Sequence, residues 1–86
     1  MGEVIKIGVV GLGYVGLPLA VEFGRKVSTV GFDINKRRIQ ELLSGVDSTF
    51  EVEREDLEAS KNLSFSSSVD ALSACNYFLI TVPTPI

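Results

Sequence analysis

The sequence predicts an α/β fold, a doubly wound parallel sheet present in part, with its strands in the order 3-2-1-4. Two observations predict it. Apolar runs of strand length alternate with segments of helical periodicity from one end of the chain to the other. That alternation implies parallel strands joined by right-handed crossovers. The first strand also runs straight into a glycine-rich turn that opens a helix, which is how the first half of a doubly wound sheet begins.

Each element has its own signal. Val4 to Val10 is nearly continuous in β-branched residues, as a strand covered on both faces tends to be. Gly11-Leu12-Gly13-Tyr14-Val15-Gly16 is a tight turn. Leu17 to Lys26 reads as a helix with Leu19, Ala20 and Phe23 on one stripe, and Pro18 falls in its first turn, where no backbone hydrogen bond is lost. Val27 to Asp33 is a second strand. Asn35 can cap a second helix in which Ile39, Leu42, Leu43 and Val46 recur at helical spacing, with Gly45 as its C-terminal glycine. Asp47 to Lys61 is a polar, acidic connection with a short helix near Glu53–Ser60. A weak third strand, Asn62 to Ser66, leads to a third helix, Ser68 to Ala74. Asn76 to Val82 is a fourth strand, ending at Pro83-Thr84-Pro85.

Composition narrows the function classes. With 45% hydrophobic and 22% charged residues the chain has the balance of a globular domain rather than a disordered one. Its 86 residues allow one small domain. The net charge of −3 argues against a nucleic-acid backbone as partner. One cysteine and no histidine exclude an internal disulfide and a Cys/His metal cluster. No signal peptide is apparent and the apolar runs are far short of a membrane span, so a reducing cytoplasm is expected.

The chemistry lies in Gly11-x-Gly13-x-x-Gly16. Glycines at that spacing are weak evidence alone, but these follow a strand and open a helix. Asp33 ends the next strand 22 positions after Gly11, close to the ~20 expected of a Rossmann-type dinucleotide fingerprint. Each residue has a physical task. Gly11 allows the turn, Gly13 lets a pyrophosphate approach the backbone, and Gly16 lets the helix lie against the strand. The helix N-terminus offers N–H groups and partial positive charge to the phosphates. Asp33 accepts hydrogen bonds from the adenosine ribose and repels a 2′-phosphate, which favours NAD over NADP. Arginines in Lys36-Arg37-Arg38 work against that preference, since one of them could accept a 2′-phosphate.

Plainer readings stand beside these. The glycines could form a turn without a ligand, and Asp33 could simply cap a helix. Lys36 and Arg37 are by default a solvated helix face. Cys75 is a small core residue rather than a nucleophile, having no histidine to activate it. A hydroxyacid-type dehydrogenase front end, or a non-catalytic nucleotide sensor, would carry the same glycines.

Lys6-Ile-Gly-Val-Val-Gly-Leu-Gly-Tyr-Val-Gly-Leu-Pro-Leu-Ala20, Gly31-Phe-Asp33 with Arg38 on the helix beyond, and Ile80-Thr-Val-Pro-Thr-Pro85 together resemble the UDP-glucose/GDP-mannose dehydrogenase family. Within it they look most like the Vi polysaccharide type, which oxidises UDP-N-acetylhexosamines at C6. The resemblance covers the whole chain. It implies an NAD-dependent oxidation of the C6 alcohol of a UDP-sugar to a carboxylate, by two hydride transfers through a covalent intermediate on a cysteine. It implies that Tyr14 and Val15 present backbone N–H groups to the pyrophosphate. Asp33 and Arg38 would then hold the ribose, with Thr84 near the dinucleotide. Cys75 does not match the family's catalytic cysteine. Residues 1–86 are therefore expected to be the N-terminal part of an NAD-binding domain, without the catalytic and sugar-binding parts, and inactive alone. The fourth strand lacks a neighbour on one side, so a homodimer through residues 76–82 is expected, weakened by lysine at Leu79.

Overall fold

The computed structural model describes residues 5–13, 15–47 and 52–81. Four strands, β1 (Lys6–Val10), β2 (Ser28–Phe32), β3 (Leu63–Ser66) and β4 (Tyr77–Ile80), form one parallel sheet in the order β3-β2-β1-β4. Val9 lies opposite Gly31 on one side and Leu79 on the other. This register brings the C-terminal ends of the strands together. Beyond the strands the ladder continues for one bond each, Gly11 N–H to the Phe32 carbonyl at 2.8 Å and Thr81 N–H to the Val10 carbonyl at 2.8 Å. The predicted fold class and strand order are those observed.

Three connections return the chain to the start of each new strand. They are α1 (Gly16–Gly24), α2 (Lys36–Leu43) with the short α3 (Arg54–Ala59), and a 3-10 helix (Val69–Ala74). Strand side chains alternate between faces, and the two faces are filled unequally. Val9 with Ile7, Phe65 and Leu79 joins Leu17, Ala20 and Val21 of α1 and Ile39 and Leu42 of α2 in one core. On the opposite face, the place where a Gly8 side chain would stand is occupied by Leu72 of the 3-10 helix and the ring of Phe78. Phe78 and Ile80 remain exposed there.

Several sequence-based expectations need correction. The first helix starts at Gly16 and stops at Gly24 instead of running from Leu17 to Lys26. Its buried stripe is Leu17, Ala20, Val21 and Gly24, while Leu19 is exposed. Leu19 and Phe23 line an open apolar recess with Ile5, Ile7 and Val27. The cause is close contact at both helix ends. A side chain at Gly16 would strike the Gly11 carbonyl, and one at Gly24 would strike Ser60 and Leu63. In α2 only Ile39 and Leu42 of the predicted stripe are buried, with Leu43 and Val46 exposed. There the helix ends, the Ser44 hydroxyl donates to the Glu41 carbonyl at 2.6 Å, and Gly45 at φ 85° turns the chain aside. The expected third α-helix is a 3-10 helix, capped by Ser68. Strand four is observed as Tyr77–Ile80, and Val82 lies outside the described residues, as does Val4. Leu79 packs on the core, so a lysine there would test the fold rather than association.

Asn35 caps α2 as predicted, its side-chain oxygen accepting from the N–H groups of Arg37 and Arg38 at 3.0 and 3.3 Å. The short helix near Glu53–Ser60 is present as α3, closed by a capping box between Glu53 and Asp56.

Candidate functional site

The loop after β1 is fixed by its glycines, and each is used differently. Gly11 has φ 99°, a conformation that side-chain-bearing residues rarely adopt. A side chain there would also run into the Thr81 carbonyl. Gly16 lies so close to Gly11 that no β-carbon fits between the loop and the first turn of α1. At Gly13, in contrast, a β-carbon would meet no described atom within 4 Å. Leu12, between the glycines, points inward and is fully buried in the core, pinning the loop from below. Thr81, just past β4, donates its hydroxyl to the Gly11 carbonyl at 2.8 Å.

The corner between β2 and α2 grips the same loop. Asp33 is half-buried. Its Oδ2 accepts the Leu12 N–H at 3.0 Å, and its Oδ1 accepts the Asn35 N–H at 2.9 Å. Arg38 reaches back from the first turn of α2, and its Nε donates to the Leu12 carbonyl at 2.8 Å. Both backbone groups of Leu12 are therefore held by side chains of the β2–α2 unit. Arg38 in turn is paired through Nη1 with Glu41 at 3.0 Å and with Asp47 at 2.8 Å. The Asp47 side chain is wholly buried, and its second oxygen accepts the Val52 N–H at 3.1 Å.

The result is an open ledge at the ends of β1 and β2. Its floor is the backbone of Gly11 to Gly13, and its back wall is the N-terminus of α1. Val15, exposed, stands at the head of that helix. Among the described residues no side chain caps the helix, and its first turn carries no acidic residue. An anion placed there meets the positive end of the helix without a competing carboxylate. Asp33 stands to one side with an acceptor of its own. The arrangement suits a ligand that has phosphates at one point and a diol a short distance away.

The structure brings Gly11, Gly13, Val15, Gly16, Asp33 and Arg38 to this one corner. Asp33 is not the helix cap, since Asn35 has that task. Tyr14 and Thr84 lie outside the described residues. Lys36 and Arg37 are exposed on α2. Three contributors were missed from sequence. Leu12 carries a signal in hindsight, an apolar residue inside a polar-looking turn. Thr81 sits one step past the apolar run of β4, level with Gly11. Asp47 carries none, because its burial depends on a partner nine positions earlier in the chain. Cys75 is half-buried away from the ledge. Burial pushes its thiol above the ordinary range, against a smaller opposing pull from Lys6, so it is protonated and poorly nucleophilic at neutral pH. Among the described residues no group of His, Cys, Asp or Glu could hold a metal ion.

Residues 5–86 match the UDP-glucose/GDP-mannose dehydrogenase family, NAD binding domain. The chain is 58% identical over 82 residues to a UDP-N-acetyl-D-glucosamine 6-dehydrogenase of Pseudomonas aeruginosa, covering 95% of this chain and 19% of that protein. It is 54% identical to the enzyme of the same name from Salmonella typhi, with the same coverage. Among solved structures, a ternary complex of GDP-mannose dehydrogenase from Pseudomonas aeruginosa superposes with a TM-score of 0.82 at 26% identity, over 94% of this chain and 20% of that one. The chain thus spans about a fifth of the length of the curated relatives it matches.

Proposed function

The chain belongs to the UDP-glucose/GDP-mannose dehydrogenase family, and from that premise we propose that the ledge binds the adenosine and pyrophosphate of NAD for the oxidation of a UDP-N-acetylhexosamine at C6. One observation carries the reading. The fold itself requires glycine at 11 and 16, where a side chain would collide with the chain's own backbone, but sets no described atom against a β-carbon at Gly13. A small residue on an exposed ledge, at a helix N-terminus left uncapped by any side chain, serves the close approach of a phosphate.

The residues divide the work. The backbone of Gly13 to Gly16, Tyr14 and Val15 included, donates to the pyrophosphate. Asp33 accepts from the ribose hydroxyls with the lone pairs left after its two backbone bonds, and Arg38 lies behind the same ribose. Thr84 belongs beside the dinucleotide further along. NAD, when bound, supplies the acceptor for hydride leaving the sugar's C6. In a protein as long as the relatives, the groups that bind and oxidise the sugar belong to the other four-fifths. Residues 1–86 are then the opening part of the NAD domain and catalyse nothing alone. A nucleotide-sugar substrate and NAD support a cytoplasmic location for the protein. A second copy of the chain is the proposed partner, through residues 76–82.

Calorimetric titration tests the reading. NAD should bind more tightly than NADP, and Asp33→Ala should narrow the gap. Equal or tighter binding of NADP by the unsubstituted protein would overturn it.

A further inference from the structure

We propose that Asp47 is a specificity-determining residue of the nucleotide site, holding Arg38 against the glycine loop and so withholding it from a 2′-phosphate. The inference rests on the dinucleotide reading above and adds to it a residue with no place in the glycine fingerprint.

An arginine on the helix after the second strand is well placed to bind a 2′-phosphate, because its planar fork matches phosphate oxygens. Arg38 stands at that place, and Asp33 and Arg38 both touch Leu12, one at its N–H and the other at its carbonyl. By position alone this arginine would weaken discrimination against NADP. The structure gives it other work. Its Nε is committed to the Leu12 carbonyl, and its Nη1 to Asp47 and Glu41. Asp47 is the anchor of the set. Its side chain is fully buried, against 21% exposure for Glu41, and its other oxygen is fastened to the Val52 backbone. Drawing the guanidinium toward a phosphate would take the cation away from a buried carboxylate, which buried ion pairs resist strongly. Two carboxylates around one guanidinium leave Arg38 no net positive charge to offer, and Asp33 adds a negative charge at the ribose side. A 2′-phosphate then meets Asp33 without help from Arg38, whereas a 2′-hydroxyl needs none.

Asp47 therefore acts through Arg38 and does not touch the nucleotide. Asp47→Asn keeps the shape and removes the charge. Without the charge that draws it inward, the guanidinium can shift toward the ribose side while Nη1 stays paired with Glu41 on its own helix.

The test measures NAD and NADP dissociation constants on the full-length protein and its variants. Asp47→Asn should improve NADP binding relative to NAD by about tenfold, the value of a new charge-assisted contact. Glu58→Gln, which breaks the exposed Arg54–Glu58 pair, should leave the ratio unchanged. The double variant Arg38→Gln/Asp47→Asn removes both charges together. It should weaken both dinucleotides by the same factor, because in the unsubstituted protein the arginine favours neither. This variant also decides the matter if Asp47→Asn fails to fold. An unchanged ratio in folded Asp47→Asn, or a selective loss of NADP in the double variant, overturns the proposal while leaving the NAD site intact. Failure of the unsubstituted protein to bind either dinucleotide overturns the site itself, and this inference with it.

Discussion

The two faces of the sheet come from the same four strands and are finished to very different degrees. Under α1 and α2 the strands bury Val9, Leu17, Ala20, Val21, Ile39 and Leu42 to 5% exposure or less. Under the 3-10 helix, Phe78 is 50% and Ile80 71% exposed. The difference follows from the connections. Among the described residues, two amphipathic helices cross the first face, whereas six residues of 3-10 helix cross the second. The candidate site belongs wholly to the finished side. Leu12 is rooted in that core, and Asp33, Arg38 and Asp47 clamp the loop from the same side. A phosphate ledge must be rigid before the ligand arrives, and dense packing beneath it supplies that rigidity.

The sharpest way to break the finished face is at the contact between loop and helix. Gly16→Val would drive a branched side chain into the Gly11 carbonyl and the Thr81 hydroxyl. Overpacking against backbone costs about 1–3 kcal/mol and at times more, and here neither neighbour is a flexible side chain. Gly16→Val should abolish cooperative thermal unfolding followed by circular dichroism. Gly13→Val, three residues away, should lose NAD binding in titration while melting within a few degrees of the parent. Equal damage to stability from both would mean that Gly13 serves the fold and not a ligand.

Arg38→Met comes next. It removes the cation from a fully buried carboxylate and the donor from the Leu12 carbonyl. Breaking one side of a buried pair costs about 3–5 kcal/mol, and chemical denaturation should show a loss of that order. Arg38→Met combined with Asp47→Leu should recover much of it, since an apolar pair of similar volume replaces the buried ions. No recovery would mean that the Leu12 contact, and not the ion pair, carries the stability.

The finished face was also the legible one, but not evenly. The strand, the turn and the helix that follows were readable from β-branched runs and glycine spacing, because these constraints are local. Asn35 was readable as a cap because capping is decided within three residues. Asp47 was not, since a carboxylate in an acidic stretch reads as solvated until Arg38 is folded back over it. Leu43 and Val46 continue the apolar period of α2 on paper. The backbone leaves the helix at Ser44, and the period has no meaning past that point. Leu19 and Phe23 looked like the core stripe of α1 because Leu and Phe are large. Contact at Gly16 and Gly24 sets the helix rotation instead, turning the smaller residues Ala20 and Val21 inward. The 3-10 helix has the serine cap that the sequence offered, but its tighter winding left no mark in the apolar pattern.

The smallest effect on the fold itself is expected on the unfinished face, and there association is the readout. Among the described residues, β4 pairs with β1 along one edge. Its outer edge presents backbone N–H and C=O groups, and no lysine, other charge or proline lies within Tyr77–Ile80 to discourage pairing. Tyr77, Phe78 and Ile80 are exposed beside that edge. Two copies meeting there antiparallel about a twofold axis would extend each sheet into the other and cover the apolar side chains at once. Ile80→Lys places a charge at the end of the strand on the open face, at a position 71% exposed. Surface changes of this kind are usually within about 0.5 kcal/mol for stability, so the melting curve should barely move. Sedimentation equilibrium of the 86-residue chain should show the unsubstituted protein as a dimer and Ile80→Lys shifted toward monomer. A monomer at high concentration without the substitution would sink the pairing. A dimer indifferent to Ile80→Lys would move the contact to another surface, the first to test being the apolar recess between Ile5, Leu19 and Phe23.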